Sequence, residues 1–223
     1  MFDSIAPSYD KLNHLMSLDV DRLWRRHALK YIVDGTPQKI LDVACGTGDS
    51  TIAAAKAAAD GSVVVGVDIS EGMMALIEEK AEAAGVVDRI STEVGDGECL
   101  RFEDGTFDRV TCAFGIRNFE HKERGLKEFY RVLRSEGKVV VLELSVPQNM
   151  VLRWFYDIYF MHILPWIGGK VSGDKAAYKY LPASVHNFPP PEDFCQMMRD
   201  AGFSSVTTKS LTFGLCRLFV GTR

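Results

Sequence analysis

The sequence lacks several features that would point to particular classes of protein. Its five cysteines are scattered, with no Cys-x-x-Cys spacing, which argues against a zinc site and against a disulfide framework. No cluster of metal ligands is visible, and we expect that no metal is needed. There is no positively charged start followed by an apolar run and a cleavage site, so nothing indicates secretion. We therefore expect a cytoplasmic protein.

The chain also lacks an excess of positive charge. Its 223 residues carry a net charge of -4, which gives a nucleic-acid partner no electrostatic support. Arg22, Arg25 and Arg26 form a local basic cluster. Such a cluster is typical of a solvated helix face, and the alternative is contact with a phosphate or an anionic lipid.

A long uninterrupted apolar run is missing as well. An aromatic-rich run, residues 154–166, is too short and, with Arg153 directly before it, too interrupted by Asp157, His162 and Pro165 to span a bilayer. It lies in residues 147–191, which we interpret as an insertion forming part of the substrate pocket. Its aromatics could touch a membrane surface or a lipid tail, or pack on the core or on a partner subunit in a homodimer.

The remaining chain alternates apolar, β-rich runs with helical runs. This pattern predicts one α/β domain over residues 1–223, in which helices cover both faces of a mostly parallel sheet after a helical arm at 1–34. Strands are predicted at residues 39–44, 62–67, 89–94, 107–113, 137–144, 203–209 and 214–220. Helices are predicted at 50–59, 70–84, 121–133 and 191–201. This order is similar to the seven-stranded sheet of class I methyltransferases, which is Rossmann-like.

The most informative segment is Ile40-Leu-Asp-Val-Ala-Cys-Gly-Thr-Gly-Asp49, an apolar strand that runs into a glycine turn. Without Cβ atoms, Gly46 and Gly48 allow a tight turn and close approach of the backbone to a ligand. Asp68 ends the next apolar run, about 20 residues on, where its carboxylate can accept hydrogen bonds from ribose hydroxyls. The segment therefore predicts a site for a nucleotide-type cofactor.

The turn favours S-adenosylmethionine over NAD. A dinucleotide site needs a third glycine for close packing of the helix on the strand, and Thr51 stands there instead. Asp49, at the mouth of the helix, would repel a pyrophosphate but suits a cofactor with positive charge. Asp42 fits this choice, because a buried carboxylate can either fix the turn amides or pair with the methionine amino group.

Three further segments resemble the C-methyltransferases of menaquinone and ubiquinone biosynthesis, and the resemblance spans nearly the whole chain. The N-terminal Met1-Phe-Asp-Ser-Ile-Ala-Pro-Ser-Tyr-Asp-Lys-Leu-Asn13, with Trp24-Arg-Arg26, is similar to that family's opening signature. Phe114-Gly-Ile-Arg-Asn118 resembles its most distinctive motif. Tyr178-Lys-Tyr-Leu-Pro-Ala-Ser184, with Phe188-Pro189, resembles its insertion motif.

The resemblance implies methyl transfer from S-adenosylmethionine to a ring carbon of a prenylated quinol, which leaves S-adenosylhomocysteine. Demethylmenaquinol is the favoured acceptor, and the benzoquinol of the ubiquinone pathway is the alternative. Thr47 and Asp68 fall on cofactor positions, and Asp96 and Gly97 fall on the pair that binds adenine. Gly97 replaces the family's usual alanine, which leaves its backbone role intact. Ala113 replaces a serine of many ubiquinone-active relatives, which favours the menaquinone substrate.

Arg117 and Asn118 follow the fourth predicted strand at the carboxyl edge of the sheet, where ligands of open α/β folds bind. A guanidinium there would stabilise a developing phenolate, and the amide would orient the ring. Tyr9 is a third candidate catalytic residue, as a wall of the pocket, together with Tyr178 and Tyr180. The proton could leave through water to His121, Asp10 or His14, which the sequence does not rank.

Three other functions remain open. The chain could methylate another lipid acceptor, it could be a non-catalytic adenosyl-binding partner protein, or it could transfer hydride with NAD. The intact Phe114-Gly-Ile-Arg-Asn118 motif argues against the second and Thr51 against the third. A quinol substrate is also the reason to expect peripheral contact with the inner face of a membrane.

Overall fold

A computed structural model describes residue 17, residues 19–158 and residues 182–223. Tyr9, Asp10, His14, Tyr178 and Tyr180 lie outside the described residues, so their predicted roles stay predictions. The boundaries predicted for the N-terminal arm and the insertion likewise stay predictions.

The described part is built on a seven-stranded sheet with strand order β3-β2-β1-β4-β5-β7-β6. The strands are β1 (Lys39–Val43), β2 (Val63–Asp68), β3 (Ile90–Val94), β4 (Phe107–Ala113), β5 (Leu133–Leu144), β6 (Ser204–Leu211) and β7 (Cys216–Thr222). The first five pair in parallel, and β7 is antiparallel to both of its neighbours. The predicted mostly parallel, Rossmann-like sheet is confirmed.

Helices cover both faces of this sheet. They are α1 (Val20–Ile32), α2 (Asp49–Ala57), α3 (Glu71–Met74), α4 (Ile77–Ala83), α5 (Lys122–Val132), α6 (Met150–Ile158) and α7 (Pro191–Asp200), with a short helical segment at 182–186. The single helix predicted at 70–84 is divided, because the chain tightens where the Leu76 N–H bonds the Met73 carbonyl three residues back. Ser70 caps its start, as its hydroxyl accepts from the Met73 N–H.

Two apolar clusters lie on opposite faces of the sheet. One contains Phe129 of α5 and Phe194 of α7, packed against the sheet. The other contains Trp24 and Ile32 of α1 with alanines of α2. Successive side chains of a strand alternate between faces. On β1, Leu41 and Val43 belong to the first cluster and Ile40 to the second, so Asp42 faces α1 and α2.

The predicted strand at 137–144 begins earlier in the structure. β5 starts at Leu133, which pairs with Phe107 before the register shifts. None of the helices between residues 19 and 158 or between 182 and 223 is long and apolar enough to cross a lipid bilayer.

Candidate active site

The predicted cofactor residues meet at the carboxyl edge of the sheet. The chain leaves β1 towards β2 and β3 and returns to the other side of β1 as β4. Such a reversal opens a crevice at the carboxyl ends of the strands, where open α/β folds bind ligands. The glycine turn, Asp68, Asp96 and Phe114 follow or end these four strands.

The glycine turn is held by its own backbone. The Gly48 N–H donates to the Cys45 carbonyl (2.9 Å), and Gly46 and Gly48 have φ of 54° and 84°. A Cβ on Gly48 would lie 2.8 Å from Cγ1 of Ile77, closer than real contacts allow. Gly48 is therefore needed for packing of the turn on α4 as well as for its backbone angle. Thr47 between them is buried.

Asp68 ties the turn to β2. Its Oδ2 accepts from the Gly46 N–H (2.8 Å) and its Oδ1 from the Ser70 N–H (2.9 Å). Because each carboxylate oxygen can accept a second hydrogen bond, this side chain can still receive two ribose hydroxyls. The bond to the turn was one of two roles predicted for Asp42, and the structure gives it to Asp68.

Asp42 is buried behind the turn, where its Oδ2 accepts from the Thr51 hydroxyl (2.7 Å). Its Oδ1 is also buried and accepts no hydrogen bond from the described residues. Burial raises the pKa of Asp42 to about 7, although the Thr51 hydrogen bond and the charge of Arg25 both lower it. Thr51 thus has a positive role, as the hydroxyl that orients Asp42.

The charge of Asp49 is not isolated at the mouth of α2. Its Oδ1 lies 2.6 Å from Nζ of Lys80 on α4, and this ion pair weakens the repulsion that Asp49 would exert on a phosphate. The argument against a pyrophosphate therefore depends more on Thr51 than on Asp49.

Arg25 reaches the same edge from α1. Its side chain is 18% exposed, its Nη1 bonds Oγ of Ser50, and its guanidinium carbon lies 5.0 Å from the centre of the Phe114 ring. Arg22 and Arg26 are exposed. The sequence favoured a solvated helix face for all three arginines. That interpretation is correct for Arg22 and Arg26 but wrong for Arg25, which is largely buried.

Asp96 and Gly97 form a tight turn after β3. The Asp96 carboxylate is exposed, and its Oδ1 accepts from the Glu98 N–H (2.8 Å). A Cβ on Gly97 would lie 2.5 Å from Cζ of Phe119, so glycine makes room for that ring. Ile69, directly after Asp68, is 69% exposed; sequence reasoning missed it, although an apolar residue beside the ribose carboxylate was a usable signal.

Arg117 forms a buried ion pair that the sequence analysis did not foresee. Its Nη1 lies 2.9 Å from Oε1 of Glu143 on β5, and the two side chains are 6% and 0% exposed. Nη1 also bonds the Phe114 carbonyl, and the Arg117 N–H donates to Glu143 Oε2 (3.2 Å). The guanidinium already has a carboxylate partner, so its predicted action on a phenolate stays a prediction. A glutamate inside an apolar strand, Val141-Leu-Glu-Leu144, was the signal for its partner.

The insertion meets the Phe114-Gly-Ile-Arg-Asn118 motif at this ion pair. Nε of Arg117 lies 3.3 Å from Oγ of Ser184. Tyr156 of α6 is buried, and burial raises its pKa while the nearby Arg117 charge lowers it. Asn118 follows in a short 3-10 turn, where its N–H donates to the Gly115 carbonyl (3.0 Å).

Of the three proton acceptors proposed from the sequence, Asp10 and His14 lie outside the described residues. His121 is the one that the structure describes, and its Nε2 lies 4.0 Å from the exposed carboxylate of Glu120. Within the described residues, no three His, Cys, Asp or Glu side chains come together as a group that could hold a metal ion.

A cleft of about 490 Å³ lies between the α3–α4 segment and β3. Glu71 and Glu78 line it together with apolar side chains, among them Met74 and Ile77. None of the predicted site residues lines this cleft. We therefore locate the candidate site at the carboxyl edge of the sheet, from the polar groups found there.

Comparison with known proteins gives the family of this chain. The model of the ubiE/COQ5 methyltransferase family matches residues 1–223. A demethylmenaquinone methyltransferase of Thermus thermophilus is 46% identical over 223 residues, which are 100% of both chains. One from Bacteroides fragilis is 44% identical over 100% of this chain and 91% of the relative. A ubiquinone/menaquinone biosynthesis C-methyltransferase of Geobacter sulfurreducens is 44% identical over 99% of this chain and 86% of the relative.

Solved structures share the fold at lower identity. A methyltransferase of Aquifex aeolicus that depends on S-adenosylmethionine has a TM-score of 0.64 at 18% identity, over 96% of this chain and 97% of that one. The [4+2]-cyclase SpnF has a TM-score of 0.69 at 17% identity, over 91% and 81%. Since a cyclase shares it, the fold alone does not decide the reaction. The full-length family match and the 44–46% identity do decide the family: this chain belongs to the ubiE/COQ5 methyltransferase family.

Proposed function

We propose that this protein transfers the methyl group of S-adenosylmethionine to a ring carbon of a prenylated quinol, with demethylmenaquinol as the acceptor. The observation that carries the proposal is the contact of Arg117 with Ser184. It joins the Phe114-Gly-Ile-Arg-Asn118 motif to the insertion motif, two of the three segments by which the sequence resembles quinol C-methyltransferases. The full-length relatives named demethylmenaquinone methyltransferase support the acceptor.

The residues at the sheet edge fit S-adenosylmethionine. The buried Oδ1 of Asp42 lacks a hydrogen bond from the described residues, and a ligand ammonium would supply one. Asp68 keeps acceptor capacity for the ribose after binding two backbone amides. When bound, the cofactor supplies an electrophilic methyl group on a positively charged sulfur.

Residues after β2 and β3 would hold the adenosine end. Ile69 offers an exposed apolar side chain next to Asp68. The exposed Asp96 carboxylate can accept from the exocyclic amine of adenine, and the Gly97 backbone N–H can donate to a ring nitrogen. The Phe119 ring packs where a Gly97 side chain would be, and this contact holds the Gly97 backbone in position.

Methylation of an aromatic carbon requires an electron-rich ring, so the reduced quinol reacts and the oxidised quinone does not. The chain must hold the ring carbon in line with the methyl group, and such positioning supplies effective molarities of up to about 10⁵ to 10⁸ M. We assign Arg117 a positioning role, because its charge is matched by Glu143 and its hydrogen bonds join the motif to Ser184. Asn118 and Tyr9 remain candidates for contact with the ring.

A prenylated quinol resides in a membrane, and α6 carries a face suited to its surface. Met150, Val151 and Trp154 are exposed apolar side chains, with the exposed Arg153 among them. Such a face can rest at the lipid interface, so we propose peripheral contact with the membrane by an otherwise cytoplasmic enzyme. A homodimer remains a prediction.

A benzoquinol acceptor is the second candidate, supported by relatives named for both the ubiquinone and menaquinone pathways. The sequence departs from many ubiquinone-active relatives at Ala113, which favours the naphthoquinol.

Single-turnover transfer from methyl-labelled S-adenosylmethionine tests the proposal. Short-tailed demethylmenaquinol, its oxidised quinone and a demethylated benzoquinol are compared under the same anaerobic conditions. We expect labelled product from the naphthoquinol alone. Product from the benzoquinol alone would move the acceptor to the ubiquinone pathway. No product from either quinol, despite cofactor binding, would overturn the proposal in favour of another acceptor or a non-catalytic protein.

A further inference from the structure

We propose that Arg25 binds the carboxylate of the methionine part of the cofactor, so that α1 closes the amino-acid end of the site opposite Asp42. This inference rests on the proposed use of S-adenosylmethionine, whose amino-acid end carries an ammonium and a carboxylate. It gives a binding role to one arginine of the cluster Arg22, Arg25 and Arg26.

Arg25 stands at the crevice between β1 and β4. Its Nη1 bonds Ser50, in the first turn of the helix that follows the glycine turn. Its guanidinium lies over the ring of Phe114, the residue directly after β4. The positive charge is thus held by groups from both sides of the crevice, beside the turn expected to receive the cofactor.

The guanidinium retains unused hydrogen-bonding capacity. Its Nε is buried and donates no hydrogen bond to the described residues. Within the described residues, Nε forms an ion pair with Oδ2 of Asp21 at 3.6 Å, which is too long for a hydrogen bond. The ion pair with Asp21 leaves the Nε hydrogen without a hydrogen-bond acceptor among the described residues, and a planar guanidinium can hold a further carboxylate in bidentate form.

Asp42 supplies the matching negative group on the same face. Its side chain points towards α1 and α2, since Ile40 two residues earlier packs there. Its Oδ1 is buried and unfilled by the described residues, and the charge of Arg25 is close enough to lower its pKa. A buried anion and a largely buried cation, each with a hydrogen-bonding atom left over, are complementary to an amino-acid zwitterion.

The neighbouring arginines lack these properties and serve as controls. The side chain of Arg22 is 64% exposed and pairs with Asp19 in the preceding turn. Arg26 is exposed. All three arginines lie within five residues of one helix. Arg26→Met therefore removes the same positive charge from α1 as Arg25→Met and serves as its control.

Isothermal calorimetry with two ligands tests the inference without any methyl acceptor. The ligands are S-adenosylhomocysteine and its decarboxylated analogue, which keeps the amine and lacks the carboxylate. We expect the wild-type protein to prefer the first by about 10- to 100-fold, the range of hydrogen bonds to charged groups. Arg25→Met is expected to bring the ratio close to one, with affinity for the analogue nearly unchanged. Arg26→Met is expected to keep the wild-type ratio.

The ratio of two affinities on one variant does not depend on the folded fraction, so partial unfolding of Arg25→Met leaves the test valid. Arg25→Lys is a second variant, which keeps the charge but loses the planar fork; we expect an intermediate ratio. An unchanged ratio in Arg25→Met, or equal weakening of both ligands, would overturn the inference and leave Arg25 a packing residue. If the wild-type protein binds neither ligand, both this inference and the proposed cofactor fail. A carboxylate preference that depends on Arg25, found together with no quinol turnover, would uphold the inference and refute only the proposed acceptor.

Discussion

Two buried acids at the same edge of the sheet differ in what surrounds them. Glu143 receives hydrogen bonds at both oxygens, from the Arg117 guanidinium and from the backbone N–H groups of Arg117 and Leu144. Asp42 receives one at Oδ2, from Thr51, and none at Oδ1 from the described residues. An unfilled buried oxygen is costly, and the ammonium of the proposed cofactor would supply the hydrogen bond that Oδ1 of Asp42 lacks. We therefore interpret Glu143 as structural and Asp42 as a binding group.

The sharpest way to break this comparison is Arg117→Ala. It would leave Glu143 buried without its counter-charge, and such a loss costs about 3–5 kcal/mol of folding stability. Denaturant unfolding would measure it. The control is Arg117→Met with Glu143→Leu, which removes both charges and should recover most of the stability. A single variant as stable as the wild type would show that Glu143 does not depend on Arg117.

Asp68→Ala should have the next largest effect, because Asp68 lies with Asp42 among the proposed cofactor-binding groups. It removes the proposed ribose acceptor and releases the Gly46 amide. We expect S-adenosylhomocysteine to bind about 10- to 100-fold more weakly by calorimetry. Glu71→Ala, an exposed acid three residues further along the chain, controls for loss of negative charge. An unaltered dissociation constant would refute the assignment of Asp68.

The raised pKa of Asp42 should make the stability of the protein depend on pH, which sharpens the comparison of this acid with Glu143. Its pKa is raised to about 7 in the folded protein, above about 3.9 in the unfolded chain. The folded state therefore holds more protons between these values, and this group lowers stability as pH rises from about 4 to about 7. Asp42→Asn should remove that part of the pH dependence of unfolding.

Cofactor affinity should change in the opposite direction. The ionised Asp42 binds a ligand ammonium better than the protonated acid does, so affinity should rise towards a plateau above about pH 8. Well below the pKa of Asp42, the change in cofactor affinity approaches tenfold per pH unit. Calorimetry between pH 5.5 and 8.5 would follow it, and the slope should be absent in Asp42→Asn. A slope that persists in this variant would belong to another group.

Thr51→Val should have the smallest effect. It keeps the shape of the side chain but removes the hydrogen bond to Asp42, worth about 0.5–1.5 kcal/mol. Since that bond lowers the pKa of Asp42, the pH at which cofactor affinity rises should move upward. Thr111→Val, another buried threonine, is the matched control. An unmoved pH profile would separate Thr51 from the function of Asp42.

Much of the fold was accessible from the sequence, because periodicity and turn residues act locally. The alternation of apolar runs predicted the seven strands, with errors at their ends such as the early start of β5 at Leu133. The division of the helix at 70–84 was not predicted, because it depends on a local 3-10 bond at Leu76 that leaves no clear pattern of residues.

For the candidate site, the sequence located the turn and its acids but not their partners. Asp42 could be named from its position before the glycine turn, whereas its bond to Thr51 and the tether from Asp68 to Gly46 depend on how β1, β2 and α2 pack. Arg25 and Arg26 look equivalent as neighbouring letters, and only the rotation of α1 against the sheet buries one and exposes the other.

By itself, the sequence determined the Rossmann-like class, the glycine turn with Asp68, and the family, because these depend on residue types at short, constant spacings. Only the tertiary structure decided which charges are neutralised. Glu143 and Arg117, 26 positions apart, become an ion pair because β4 and β5 are adjacent, and Asp49 meets Lys80 because α2 lies beside α4. Electrostatic energy depends on distance and burial in space, and neither can be read from separation along the chain.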